Sequence, residues 1–195
     1  MILKYRLLVG VLVLALVASW GLGYYYYNSL QAQNVAFLNN MRSRAVNIWA
    51  MEMSLTGSLI EDAKTNLDMD TACQSTDSTY RIGDMIYEAD YSSHLHDLTW
   101  QMFDTPWVMR ERLFSYANGS PTYVKHINPS AFPMFKNLTS TIYKMTGLIL
   151  DLDQQSGIDP AQQLTNKGVL DDIIRYCIDI KNISEQLADF NPKFQ

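Results

Sequence analysis

Charge of either sign is missing from a long opening stretch of this chain: after Arg6 the next charged residue is Arg42. Cysteine is nearly absent, two in 195 residues, too few for a scaffold held by disulfides. Histidine is scarce as well, three in all, and no Cys-x-x-Cys, His-Glu-x-x-His, Gly-x-Ser-x-Gly or phosphate-cradling glycine loop occurs. The chain is accordingly read as non-enzymatic and without a cofactor. Basic residues, 15 against 20 acidic, leave a net charge of -5 and no basic face for nucleic-acid phosphates. A hydrophobic content of 48% excludes a disordered chain.

Within the uncharged stretch, residues 7–27 are apolar or aromatic apart from Ser19. A helix needs about 20 such residues to cross the hydrocarbon core of a bilayer. Lys4 and Arg6 precede the run, which orients the N-terminus to the cytoplasm, and Tyr24 to Tyr27 follow it as an interfacial belt. Residues 1–27 are expected to be a single-pass membrane anchor and residues 28–195 an extracytoplasmic domain. The alternative is a cleaved secretory signal ending at Val17-Ala18-Ser19. Trp20 and the apolar residues after it favour the anchor, and both readings export the same domain.

Four helical stretches are predicted beyond the anchor, giving an all-α, up-down-up-down four-helix bundle continuous with the membrane helix. The first, over about 28–67, carries a stripe of Leu30, Phe37, Met41, Ile48, Leu55 and Leu59, the spacing of a bundle or coiled-coil seam. Polar residues 68–78, including Cys73, read as a loop. The second stretch starts near Thr79, capped by Asp77 or Ser78, with Met85, Ile86, Ala89, Leu95, Leu98 and Met102 as its apolar face. Pro106 breaks or kinks it, and the chain continues helically to Asn118-Gly119. Asn128-Pro129 opens a third helix striped by Phe135, Leu138, Ile142, Met145, Ile149 and Leu152. After a turn at 154–158, Asp159-Pro160 opens the fourth, striped by Leu170, Ile173, Cys177, Ile180 and Leu187.

Three constellations invite chemistry. A four-helix topology brings Asp68, Asp70 and Asp77 to the same distal end as Asp151, Asp153 and Asp159, an acidic crown for a cation or a basic partner. Asp151, Asp153 and Asp159 also resemble a calcium loop in part, but Gly157 and Gln162 depart from the EF-hand pattern. Asp90, His94 and Asp97 share one helical face, without ligands from a second helix. Trp49 of the first helix and Trp100, Phe103, Trp107 and Met109 around the proline break are expected to meet in the lower half of the bundle, where a kink opens room for an apolar ligand or a docking surface.

These features point to a non-enzymatic, membrane-anchored interaction protein, an accessory or assembly component of a cell-envelope complex. The bilayer and another membrane or envelope protein are its expected partners, with a homo-oligomer also compatible. The alternative is a sensor-like ectodomain binding a small apolar ligand or a cation.

Overall fold

The structure, a computed structural model, describes the backbone of residues 2–89, 95–117, 123–154 and 167–195, without the side chains of 2–18, 31–43, 89 and 151–154. It is all-helical: α1 (Ile2–Asp62), α2 (Asn66–Ala89), α3 (His96–Ala117), a 3-10 turn (Pro129–Ala131), α4 (Phe132–Gln154) and α5 (Lys167–Ala188). Among the described residues, strand pairing is limited to two isolated bridges. Contacts divide the chain into two units, Met1–Met41 and Arg42–Gln195.

In the first unit, the side chains of Trp20 and Tyr24 to Tyr27 are exposed. Most of the predicted anchor, residues 7–18, lies outside the described side chains. Among the described residues, no helix is long and apolar enough to cross a membrane.

The second unit holds the core, and its packing departs from the predicted bundle in three places. The first is the face that α1 buries. Val46, Trp49, Ala50, Met53 and Ile60 point inward, whereas Ile48 and Leu55 of the predicted seam are half exposed, as is Leu30 in the first unit. Phe37 and Met41 fall outside the described side chains. The physical reason is Trp49: the large ring and the small residues Ala50 and Gly57 fit the interior, where Gly57 leaves room for Ile142 and Tyr143 of α4.

The second departure is the start of α2. Residues 68–78, predicted as loop, are helical, and the chain turns one step earlier, at 63–65. Thr65 and Asp68 fasten that turn reciprocally. The Asp68 N–H donates to Thr65 Oγ1 at 3.2 Å, while Asp68 Oδ2 accepts from the N–H groups of Thr65 (2.8 Å) and Lys64 (2.9 Å). This is a capping box, and it satisfies helix donors that would otherwise be orphaned. The polar helix still has an inner face: Met69, Ala72, Cys73, Thr76 and Thr79 are buried, while Met85, predicted on the apolar face, is exposed.

The third is Pro106, which sits inside an unbroken α3. The chain reverses instead between Ala89 and His96, so the predicted second stretch is two helices packed against each other. A proline within a helix leaves the carbonyl four residues back without its donor. Here that carbonyl is Met102 O, and it accepts the buried indole N–H of Trp49 at 2.9 Å. Replacement of the missing bond from α1 lets the helix run on.

The two later stripes are buried where they are described; Leu170 is only partly covered, and the side chain of Leu152 and the predicted Asp159-Pro160 start lie outside the described residues. Phe135, Leu138, Ile142, Met145 and Ile149 of α4, and Ile173, Cys177, Ile180 and Leu187 of α5, are buried. Asn128 caps as expected, its Oδ1 accepting from the Ser130 N–H at 3.1 Å. Pairs Asp104–Lys181 and Arg112–Glu185 advance together along α3 and α5, so these two helices run parallel. One end of the unit is stitched by loops. The Asn66 N–H donates to Lys125 O and the Ile127 N–H to Lys64 O, while the Asn128 and Gln195 N–H groups reach Lys193 O and His126 O.

Candidate functional site

Along α3, His96, Trp100, Phe103 and Trp107 recur by four, three and four residues and so share one face. Across the seam, α2 supplies Tyr80 and Tyr87. Gly83 stands between these tyrosines, and a Cβ there would lie 2.1 Å from Met102 O and 2.7 Å from its carbonyl carbon. Only glycine allows the two backbones to approach this closely, and the rings of both helices interleave as a result.

The rings form a connected band. Tyr80 lies 5.2 Å from Phe103 and 5.3 Å from Trp107 between centroids. Tyr87 lies 5.5 Å from His96, 5.5 Å from Trp100 and 5.7 Å from Phe103, and Trp100 is 5.4 Å from Phe103. Tilted and edge contacts at these separations are the favoured geometry for aromatic pairs. Trp100 and Trp107 keep about two fifths of their surface exposed, 40% and 41%. At one end the Arg110 guanidinium carbon stands 5.7 Å from the Trp107 centroid, and its Nε meets Asp77 Oδ1 at 2.8 Å. The result is a filled, partly solvated aromatic surface ending in a fixed cation.

The predicted ligand residues therefore separate into two environments. Trp100, Phe103 and Trp107 lie together on this band; Trp49 and Met109 are fully buried in the core. The five do not converge on one site. Tyr80 and Tyr87 were not singled out by sequence, although tyrosines seven apart on one helix, facing the α3 series, carry the signal.

Among the described residues the acidic crown is not brought together. Asp68 caps the α1–α2 turn, Asp70 accepts from Gln74 Nε2 at 3.0 Å, and Asp77 pairs with Arg110. Because the chain reverses once more than predicted, α4 starts from the stitched end and carries Asp151 and Asp153 about 30 Å away from it. Their side chains, and Asp159 entirely, lie outside the described residues, as do Asp90 and His94. At the stitched end the Lys125 N–H donates to Asn66 Oδ1 at 2.9 Å. Among the described residues no group of three His, Cys, Asp or Glu side chains is placed to hold a metal ion.

Between α3, α4 and α5 lies a small polar inclusion. Lys181 Nζ donates to Asp104 Oδ2 at 2.6 Å, with both side chains about four-fifths covered. One turn away, Cys177 Sγ is 3.4 Å from Met145 Sδ. Burial pushes this thiol up to about 12, against smaller opposing effects from Thr105 and Lys181. Cys73 is also a free buried thiol, raised to about 11 by burial, and donates to Arg110 O at 3.4 Å. Thiols held this far above neutrality stay protonated and unreactive. Neither forms a disulfide.

Comparison with known proteins finds no matching family and no significant similarity to a curated protein or to a solved structure.

Proposed function

We propose that the protein is a non-enzymatic, membrane-anchored domain that acts by contact with another membrane or envelope protein outside the cytoplasm. The aromatic band carries this reading. Trp100 and Trp107 offer exposed ring surface already held in place by neighbouring rings, and Arg110 is fixed by Asp77 at the band's end. Tryptophan, tyrosine and arginine are the residue types that dominate binding energy at protein interfaces, and pre-packed rings lose little side-chain freedom on contact. The anchor rests on the sequence: the apolar run of residues 7–27 behind Lys4 and Arg6.

The test is extraction of the full-length protein from its native membrane after light crosslinking, with mass spectrometry of what co-purifies. A stoichiometric membrane partner is expected, retained by an intact N-terminus and lost from a Trp100→Ala/Trp107→Ala variant that keeps its helical circular dichroism. Recovery of the protein alone, or equal recovery of the partner with the variant, refutes the reading. Release of the chain by alkaline carbonate refutes the anchor.

A further inference from the structure

The outward face of α1 between residues 44 and 62 has a pattern that the monomer leaves uncovered except at Ser58, whose hydroxyl lies 3.2 Å from that of Tyr143 on α4. Arg44, Ile48, Met51, Leu55, Ser58 and Asp62 are exposed, at successive spacings of four, three, four, three and four. These are the a and d positions of a heptad repeat, on the side of the helix away from the buried Trp49, Met53 and Ile60. Ile48, Met51 and Leu55 are 50%, 61% and 52% exposed, although surface positions on a helix are usually polar. A helix with one apolar face in its own bundle and a second one outside offers that second face to a packing partner.

We infer that this partner is a second copy of the chain, paired antiparallel along residues 44–62. The charges at the ends of the stripe select both the occupant and the direction. In a parallel pair the same residues face each other, so Arg44 meets Arg44 and Asp62 meets Asp62. In an antiparallel pair, a positions face d positions. Leu55 then packs on the second copy's Met51 and Ile48 beside its Ser58, and Arg44 reaches its Asp62 at both ends. The interface is two-fold and self-complementary, as a closed homodimer requires. One like-charge meeting remains: Glu52, half-buried at the edge of the stripe, approaches its own counterpart near the two-fold axis. This inference goes beyond the aromatic-band reading and uses none of its residues; because the anchor residues 7–27 precede this segment in α1 of both copies, an antiparallel pair of anchored chains joins two facing membranes and not neighbours in one bilayer.

The test uses the full chain in mild detergent, where neither direction of pairing is imposed by a bilayer. Light scattering across a concentration series is expected to show reversible dimers. Arg44→Glu replaces two attractions by two repulsions and weakens the dimer about tenfold or more. Adding Asp62→Arg to the same chain restores it, and Glu52→Gln tightens it. An Arg44→Cys chain mixed with an Asp62→Cys chain gives the mixed disulfide, with the buried Cys73 and Cys177 silent. A monomer throughout, a dimer indifferent to Arg44→Glu, or preferential coupling of Arg44→Cys to itself overturns the inference. The substituted positions are on the surface, and unchanged circular dichroism confirms that the fold is intact in each variant.

Discussion

The indole N–H of Trp49 and the carbonyl of Met102, 2.9 Å apart, complete a helix that Pro106 leaves one hydrogen bond short. The three residues work as one device joining α1 to α3. Trp49→Phe keeps most of the apolar volume but strands the carbonyl in the core, at a cost of about 1–3 kcal/mol. In a Pro106→Ala background the alanine N–H is available to the same carbonyl, so the loss on adding Trp49→Phe is expected to shrink. Urea unfolding of the two single variants and the double variant measures this coupling. Equal losses in both backgrounds contradict the device.

Gly83→Ala places a methyl group against the Met102 backbone, which has no side-chain freedom with which to yield. The expected penalty is about 3 kcal/mol or more, at or above the usual cost of overpacking. Spreading of the α2–α3 seam should also change the near-ultraviolet circular dichroism of Tyr80, Phe103 and Trp107. A stable variant with an unchanged aromatic spectrum would show that the helices sit further apart.

The capping box has a pH signature. Hydrogen bonds from the Lys64 and Thr65 backbone, with a smaller opposing effect of burial, hold the Asp68 carboxyl below its ordinary value of 3.8. Its contribution is thus complete above 3.8 and is lost as pH falls through that value toward the lowered one. Asp68→Asn should flatten this part of the acid limb in equilibrium unfolding. Thr65→Ala removes the reciprocal bond and costs about 1 kcal/mol at neutral pH.

Burial of both thiols predicts that the native protein reacts with neither iodoacetamide nor a disulfide reagent at neutral pH. Two thiols per chain should appear on unfolding in urea. Labelling of one thiol under native conditions would reveal an opening smaller than global unfolding.

Fold class and the two C-terminal helices were legible because α4 and α5 each present one continuous apolar stripe. The α1–α2 turn was less so, since its polar residues resemble a loop in composition. Its signal was the spacing of Thr65 and Asp68, a capping pair that says where a helix begins regardless of how polar it is. Pro106 misled for a different reason. Whether a proline breaks a helix depends on what replaces the lost bond, and the replacement comes from Trp49, far away in sequence. The predicted α1 stripe was only partly the buried face, with Leu59 packed on the core but Ile48 and Leu55 exposed and Trp49 and Met53 buried instead, because periodicity tells that a face is apolar and not what covers it. The aromatic band needed Gly83, whose effect is visible only once α2 and α3 are side by side.

The stitched end of the second unit bears on how the molecule reaches its native state. Its bonds join residue 64 to residue 127, and residue 126 to residue 195, so they close large loops. Each closure carries an entropy cost that local helix contacts do not, and such contacts form late. The helical hairpin of α2 and α3 needs no such closure and is the natural place for order to start. The tail, with Tyr116 donating to Lys193 O and its ring 5.4 Å from that of Phe194, is the latch that such a late closure sets on the end of α3.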